Sequence, residues 1–448
     1  MERDLTKGNA KKQILLVSLP VIMSSFIKML NTFIDMFWLK NIGDSAVAAV
    51  GVAGLLTWFF IEVGVIAQLG SQVRVSTEIG ARNKKKADVY GKNAFFISVI
   101  LGIFILILTN ILARPFMNMY EVTEIVGNYG VEYLRAVSIG LPFMFCNFIF
   151  DSIYQAKGNT KTPFIINGIA TGTNMILDPI FIFTLNMGVF GAGLATAFAS
   201  VIGFTVYFLA SKGIFDNKHF KPEFKICKEL IKVGFPNFIY KSLFTFTSMF
   251  VAGVVVTFGT SAVAVQQIGV QLEAVSWMTS GGLSVAISSF VGQNVGANKY
   301  NRILKGYNIT MVYAIVLGIM NTLLFFFAGG FVISLFLNEP ESLIIGTRFM
   351  KISSISQLFM CIEIVTIGAF LGLSKPMVGS ISNAVFTVIR VPLIMVLSRE
   401  DVLGLDGVWV TIVISCFLKG IVSTSLFYLT ERKKIKKLAK IELETCET

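Results

Sequence analysis

Apolar residues run along this chain in blocks of about twenty or more, separated by short polar stretches. A helix rises about 1.5 Å per residue, so a block of about 20 crosses the hydrocarbon core of a bilayer. Twelve such blocks stand at residues 14–38, 46–72, 92–113, 125–155, 163–184, 190–211, 230–257, 262–290, 306–337, 342–371, 377–398 and 406–430. They are apolar all round rather than along one stripe, and a soluble core has no room for so many helices of that kind. The pattern predicts an all-α polytopic membrane protein with twelve transmembrane helices.

The pattern is written twice. Pro20 in SLPVIM and Pro236 in GFPNFI lie 216 residues apart, as do Gly43 in GDSAVAA and Gly259 in GTSAVAV, and Gly80 in IGARNKK and Gly296 in VGANKYN. After the fourth span the offset falls to 213, through Pro163/Pro376 and Pro179/Pro392, and it returns to 216 for Gly188/Gly404 and Gly191/Gly407. Apolar helices align by chance, but chance does not hold proline and glycine in register. Each copy holds six spans, an even number, so both enter the membrane from the same side as parallel repeats. The expected organisation is an N-lobe over 1–211, a cytoplasmic inter-lobe linker over 212–229, a C-lobe over 230–430 and a basic cytoplasmic tail over 431–448. Two pseudo-symmetric six-helix lobes with a cavity between them make a transporter layout.

Charge fixes orientation. Only 14% of residues are charged, against about a quarter in soluble domains, yet the net charge is +12. Lys11, Lys12, Arg82, Lys84–Lys86, Lys157, Lys161, Lys212–Lys232, Lys299, Arg302, Lys305, Lys375 and Arg432–Lys437 fall in one alternate set of connections. The opposite set holds Lys40, Arg114 and Arg399 among Glu121, Glu124, Glu339, Glu341, Glu400 and Asp401. The positive-inside rule places both termini in the cytoplasm. The basic charge therefore reads as an orientation signal meeting anionic lipid, with no nucleic-acid partner. The five cysteines have neither metal-ligand nor disulfide-framework spacing, and His219 is the only histidine, so no metal cluster or histidine relay is available. The N-terminal apolar run is too long for a signal-peptide core and lacks an A-x-A-type site, so it reads as an uncleaved first span.

The candidate chemistry is a set of polar groups inside the spans. Asp35 lies five residues before Lys40, in the outer part of the first span. Asp178 lies in the outer half of the fifth, Thr196 in the outer third of the sixth, and Asn174 shares a helix face with Asp178. Pro179 frees the carbonyl of Met175 and loosens the helix beside Asp178. Two acids, an amide and a hydroxyl at one depth suit either a hard cation such as Na⁺ or a proton. An intramembrane acid is by default functional, against the plainer reading that Asp35 reaches the interface and Asp178 ends a bent helix. The second repeat has Val251 and Val391 in place of the two acids and Arg390 in place of Leu177, so any coupling belongs to the first lobe. Arg390 reads as a packing or interfacial residue. Lys28 and Glu273 fall mid-span and could pair with each other, or Glu273 could attract a cationic substrate. Asp151 and Glu363 lie in inner halves and read as structural, and Lys241 is near enough to the cytoplasm to snorkel.

These residues and their order, GDSAVAAVGVAG after Asp35, AKGNTKTP before span five, NMILDPIFIF with GVFGAGLAT, and VGQNVGANK after span eight, resemble the MATE family of multidrug and toxic compound extrusion transporters. The resemblance covers nearly the whole chain. It implies an antiporter, not an enzyme, that exports small, mostly cationic amphipathic compounds in exchange for inward H⁺ or Na⁺ and needs no cofactor. In the family's DinF-like branch the first-lobe cation site matches Asp35, Asn174, Asp178 and Thr196, where a Na⁺ ion could sit. The NorM-like branch uses an acid on span seven, and none occurs here between Phe235 and Thr257, while Glu273 and Glu363 keep a C-lobe contribution open. The expected setting is the cytoplasmic membrane of a prokaryote, with the chain a monomer. The alternative is a lipid-linked saccharide flippase of the same superfamily. Walker A, nucleophile-elbow and filter-like motifs are missing, and so is the major-facilitator loop after span two, which reads GARNKKKAD.

Overall fold

The computed structural model describes residues 2–120, 122–211, 221–337 and 339–447. Most of the expected linker, 212–220 with His219, lies outside the described residues. The described residues are nearly all helical, with no strand among them. The helices are α1 (Ala10–Lys40), α2 (Asp44–Gly80), α3 (Lys84–Asn118), α4 (Glu124–Ala156), α5 (Lys161–Pro179), α6 (Gly188–Ala210), α7 (Phe224–Val256), α8 (Thr260–Gly296), α9 (Tyr300–Leu323), α10 (Gly329–Ser334), α11 (Pro340–Gly372), α12 (Pro376–Val388), α13 (Arg390–Leu397), α14 (Leu405–Leu426) and α15 (Lys433–Glu447). Together they provide twelve helical segments long and apolar enough to cross a membrane.

Several helices outrun their apolar blocks. α2 continues past residue 72 to Gly80 with Ser71, Gln72 and Ser76 buried, the Ser76 hydroxyl donating to the carbonyl of Val73. The interior carries polar groups there, so hydropathy ends before the helix does. At Pro179, which lacks an N–H, the backbone changes register: α5 ends there and passes into a π-turn over Ile180–Thr184.

The connections repeat as the prolines and glycines do. Gly43 and Gly259, Arg82 and Asn298, Gly158 and Ser374, and Gly188 and Gly404 all have positive φ, and each pair is 216 residues apart. The three-residue shortening therefore falls between Gly158 and Pro163, in a turn.

The chain divides into two compact units, Met1–Arg3 with Pro20–Phe238, and Asp4–Leu19 with Ile239–Thr448. The division does not follow the repeats at two places. The start of α1, up to Leu19, belongs to the second unit, where Ala10, Ile14 and Val17 join Leu283, Ile287 and Phe290 in the core. The start of α7, up to Phe238, belongs to the first, where Cys227 and Leu230 join Ala67 and Tyr90. Both handovers fall at or just after a repeat-matched proline, Pro20 and Pro236. α7 approaches α2 so closely that a Cβ on Gly234 would run into the carbonyl of Ile66, and one on Gly70 into that of Leu230.

Two further elements complete the second unit. The segment before α1 is strapped down by Arg302, which donates to the carbonyls of Leu5 (3.0 Å), Gly8 (2.8 Å) and Lys7 (2.6 Å) and to Gln13 Oε1 (2.8 Å). The basic tail forms α15, which buries Ile435 and Ala439, and Glu442 accepts from the N–H of Tyr300 at the start of α9.

Candidate functional site

Asn31 and Asp35 are four residues apart on α1, and Asn174 and Asp178 four apart on α5, so each pair projects from one helix face. In the first unit these faces meet. The Asn31 amide nitrogen donates both to Asp35 Oδ2 (2.9 Å) and to Asn174 Oδ1 (2.8 Å), and Asn174 Nδ2 donates to Asp178 Oδ1 (3.3 Å). Asn174 and Asp178 are only 3% and 1% exposed, and the two carboxyl groups lie in each other's field, bridged by the Asn31 and Asn174 amides. The junction is held by packing: Trp38 of α1 sits edge-on to Phe183 of the π-turn, 6.0 Å between centroids, and Leu39, Ala46, Ile182, Val189 and Ala192 close an apolar cluster around it.

Three oxygens at this junction, Asn31 Oδ1, Asp35 Oδ1 and Asp178 Oδ2, are buried with no donor from the chain. A buried acceptor left unpaired is costly, and an unpaired carboxylate more so. A proton would give one carboxyl a hydrogen to donate to the other. A hard monovalent cation would be met by oxygen ligands. Among the described residues no group of three or more His, Cys, Asp or Glu side chains could hold a metal ion.

Of the four residues expected here, Asp35, Asn174 and Asp178 come together. The Thr196 hydroxyl instead donates to the carbonyl of Ala192, one turn back in α6 (3.2 Å). Sequence reasoning passed over Asn31, although its i, i+4 relation to Asp35 was legible. It also passed over Tyr133 of α4, which lies in the field of both carboxylates and for which no local pattern gave a sign.

The other intramembrane charges fall into two groups. In the first unit Asp151 is buried and accepts hydrogen bonds from Tyr207 and Asn167, with Lys28 as its electrostatic neighbour. In the second unit Glu363 accepts from Asn383 (2.7 Å) and Tyr240 (3.5 Å), and Glu273 is buried on α8. Val251, in the place of Asp35, packs in an apolar cluster with Val255, Val265 and Trp409. Arg390 is buried rather than interfacial, its Nε donating to Ser415 Oγ (2.9 Å).

The family model described as MatE matches residues 20–180 and 234–396. The chain is 26% identical to the probable multidrug resistance protein NorM of Thermotoga maritima, over 94% of this chain and 92% of that one. It is 23% identical to the multidrug export protein MepA of Staphylococcus haemolyticus, over 95% of both. A MOP superfamily transporter from Pyrococcus furiosus shares the fold with a TM-score of 0.90 at 23% identity, covering 97% of this chain and 98% of that one. A MATE in the straight conformation does so with a TM-score of 0.89 at 23% identity, over 98% of both.

Proposed function

The chain belongs to the MatE family of transporters, and from that premise we propose that it is a secondary antiporter, exporting small amphipathic organic cations in exchange for inward H⁺ or Na⁺. The observation that carries the reading is the Asp35–Asp178 junction. Two neighbouring carboxyls with unpartnered buried oxygens are at ease only when a small cation neutralises them. Asn31 and Asn174 hold the two acids by hydrogen bonds from their side-chain amide nitrogens while leaving the second oxygen of each carboxyl free. α1 and α5 would repack as the ion enters and leaves, biasing alternating access. Coupling requires that the ion bind one state more tightly than the other, since equal affinity shifts no equilibrium. The relatives named for multidrug resistance and multidrug export support a small-molecule substrate. The distribution of lysine and arginine supports cytoplasmic termini.

The test is ethidium efflux from proteoliposomes under an imposed pH gradient or an imposed Na⁺ gradient. One gradient drives wild-type efflux, and Asp35→Asn and Asp178→Asn each abolish it while purifying as monodisperse protein. Normal gradient-driven efflux by both variants would remove the coupling site.

A further inference from the structure

The second unit buries two bases, Arg390 at 5% exposure and Lys419 at 2%. Both converge on one ring. The Arg390 guanidinium carbon lies 5.7 Å from the Phe244 centroid, and Lys419 Nζ lies 5.9 Å from the same centroid and 5.4 Å from that of Tyr240. Ser415, which accepts from Arg390, and Lys419 are four apart on one face of α14. Two like charges are thus held beside each other inside a membrane-spanning lobe.

The acids nearby, among the described residues, form no close ion pair with them. Glu363 accepts from Asn383 and Tyr240 and lies in the field of both bases, and Glu273 lies in the field of Arg390. Among the described residues no ion pair within 4.0 Å joins any of these four charges, and Arg390 Nη2 donates to Cys416 Sγ at 3.6 Å. Lys241, the remaining base in their field, is exposed. Aromatic faces compensate a desolvated cation only by about 2 kcal/mol. An anionic group set between guanidinium and ammonium would satisfy both with charge-assisted hydrogen bonds, Arg offering a planar fork and Lys a point charge.

We propose that Arg390 and Lys419 form a subsite in the second unit for the carboxylate of an amphipathic substrate, with Phe244 and Tyr240 against its apolar body. This rests on the exporter reading and narrows it: the favoured substrates carry an acid beside their positive charge.

The test compares tetramethylrhodamine, which has a free carboxylate, with its methyl ester, by fluorescence anisotropy on the full chain in phosphatidylcholine nanodiscs without any gradient. The wild type binds the acid more tightly than the ester by about tenfold, the weight of one charge-assisted hydrogen bond. Arg390→Gln and Lys419→Gln each weaken the acid by about that factor and leave the ester's affinity unchanged. Equal weakening of both probes marks lost packing and overturns the subsite. So does a wild-type preference for the ester or none at all, which decides the matter even if a variant fails to fold. Binding is read without ion flux, so failure here leaves the Asp35–Asp178 site standing, and failure of those flux variants leaves this preference measurable.

Discussion

Ser374 occupies left-handed backbone, φ 58°, where the first repeat has Gly158, φ 69°. The hydrogen bonds are the same: Gly158 and Asn159 donate to Gln155 and Tyr154, and Ser374 and Lys375 donate to Leu371 and Phe370. Each closes a long helix with the six-to-one pattern that favours glycine. A side chain in this region costs about 1–2 kcal/mol, so Ser374→Gly should stabilise the protein by about 1 kcal/mol, seen as a higher unfolding temperature in detergent. Gly158→Ser should lower it by a similar amount. At this scale the sequence was readable where the signal is local. Asp35, Asn174 and Asp178 stand out as polar residues in apolar helices, two of them four apart. Lys419, Tyr240 and Tyr133 did not stand out, because their meaning comes from partners on remote helices that only packing brings together.

Among the elements, helix existence was legible throughout and helix length was not. Apolar blocks mark what lipid touches, whereas α2, α3 and α8 run on through polar stretches such as QVRVSTEIG. The tail shows the same limit. Its lysines read as a basic cytoplasmic tail, and within it Ile435 and Ala439 recur four residues apart and seat α15 against the core. The segment ahead of α1 is held by Arg302 together with Gln293, Asn294 and Lys299. Arg302→Ala removes four charge-assisted hydrogen bonds and should weaken that attachment by about 1.5–3 kcal/mol, exposing Lys7 to limited trypsin digestion that the wild type resists. Within the segment, burial raises the Asp4 carboxyl, but the side-chain and backbone bonds from Thr6 and the charges of Lys7 and Lys299 outweigh it and hold it below the usual carboxylate range. A depressed acid stabilises the folded state above its unfolded pKa and loses that contribution as pH falls through the folded one. The Asp4 contribution is small, because the side chain is about half exposed. The unfolding temperature in detergent should therefore lose this contribution only under strong acid, and fall by less there in Asp4→Asn.

For the molecule as a whole, the duplicated pattern was legible in proline and glycine spacing, while the boundary between the units was not. Hydropathy sees α1 and α7 as single spans and gives no hint that each changes allegiance near its proline. The prediction at this scale concerns fragments. Residues 1–211 expressed alone lack the Phe224–Phe238 stretch that seats Leu230 among Ala67 and Tyr90, and should be readily cut by protease. Extending the fragment to residue 240 should restore resistance. Equal lability of the two fragments would show that this stretch adds nothing to the first unit.

Synthesis on the ribosome runs in one direction, and the exchanged helix ends impose a schedule on it. The earlier half emerges first yet stays unfinished until the opening turns of the seventh helix have left the exit tunnel. The residues that finish the later half have by then been waiting since initiation. Gene duplication alone would have produced two self-sufficient modules, each free to mature separately or be lost. Reciprocal trading of ends makes each copy's maturation conditional on the other, so a truncated or stalled product has no complete half to accumulate.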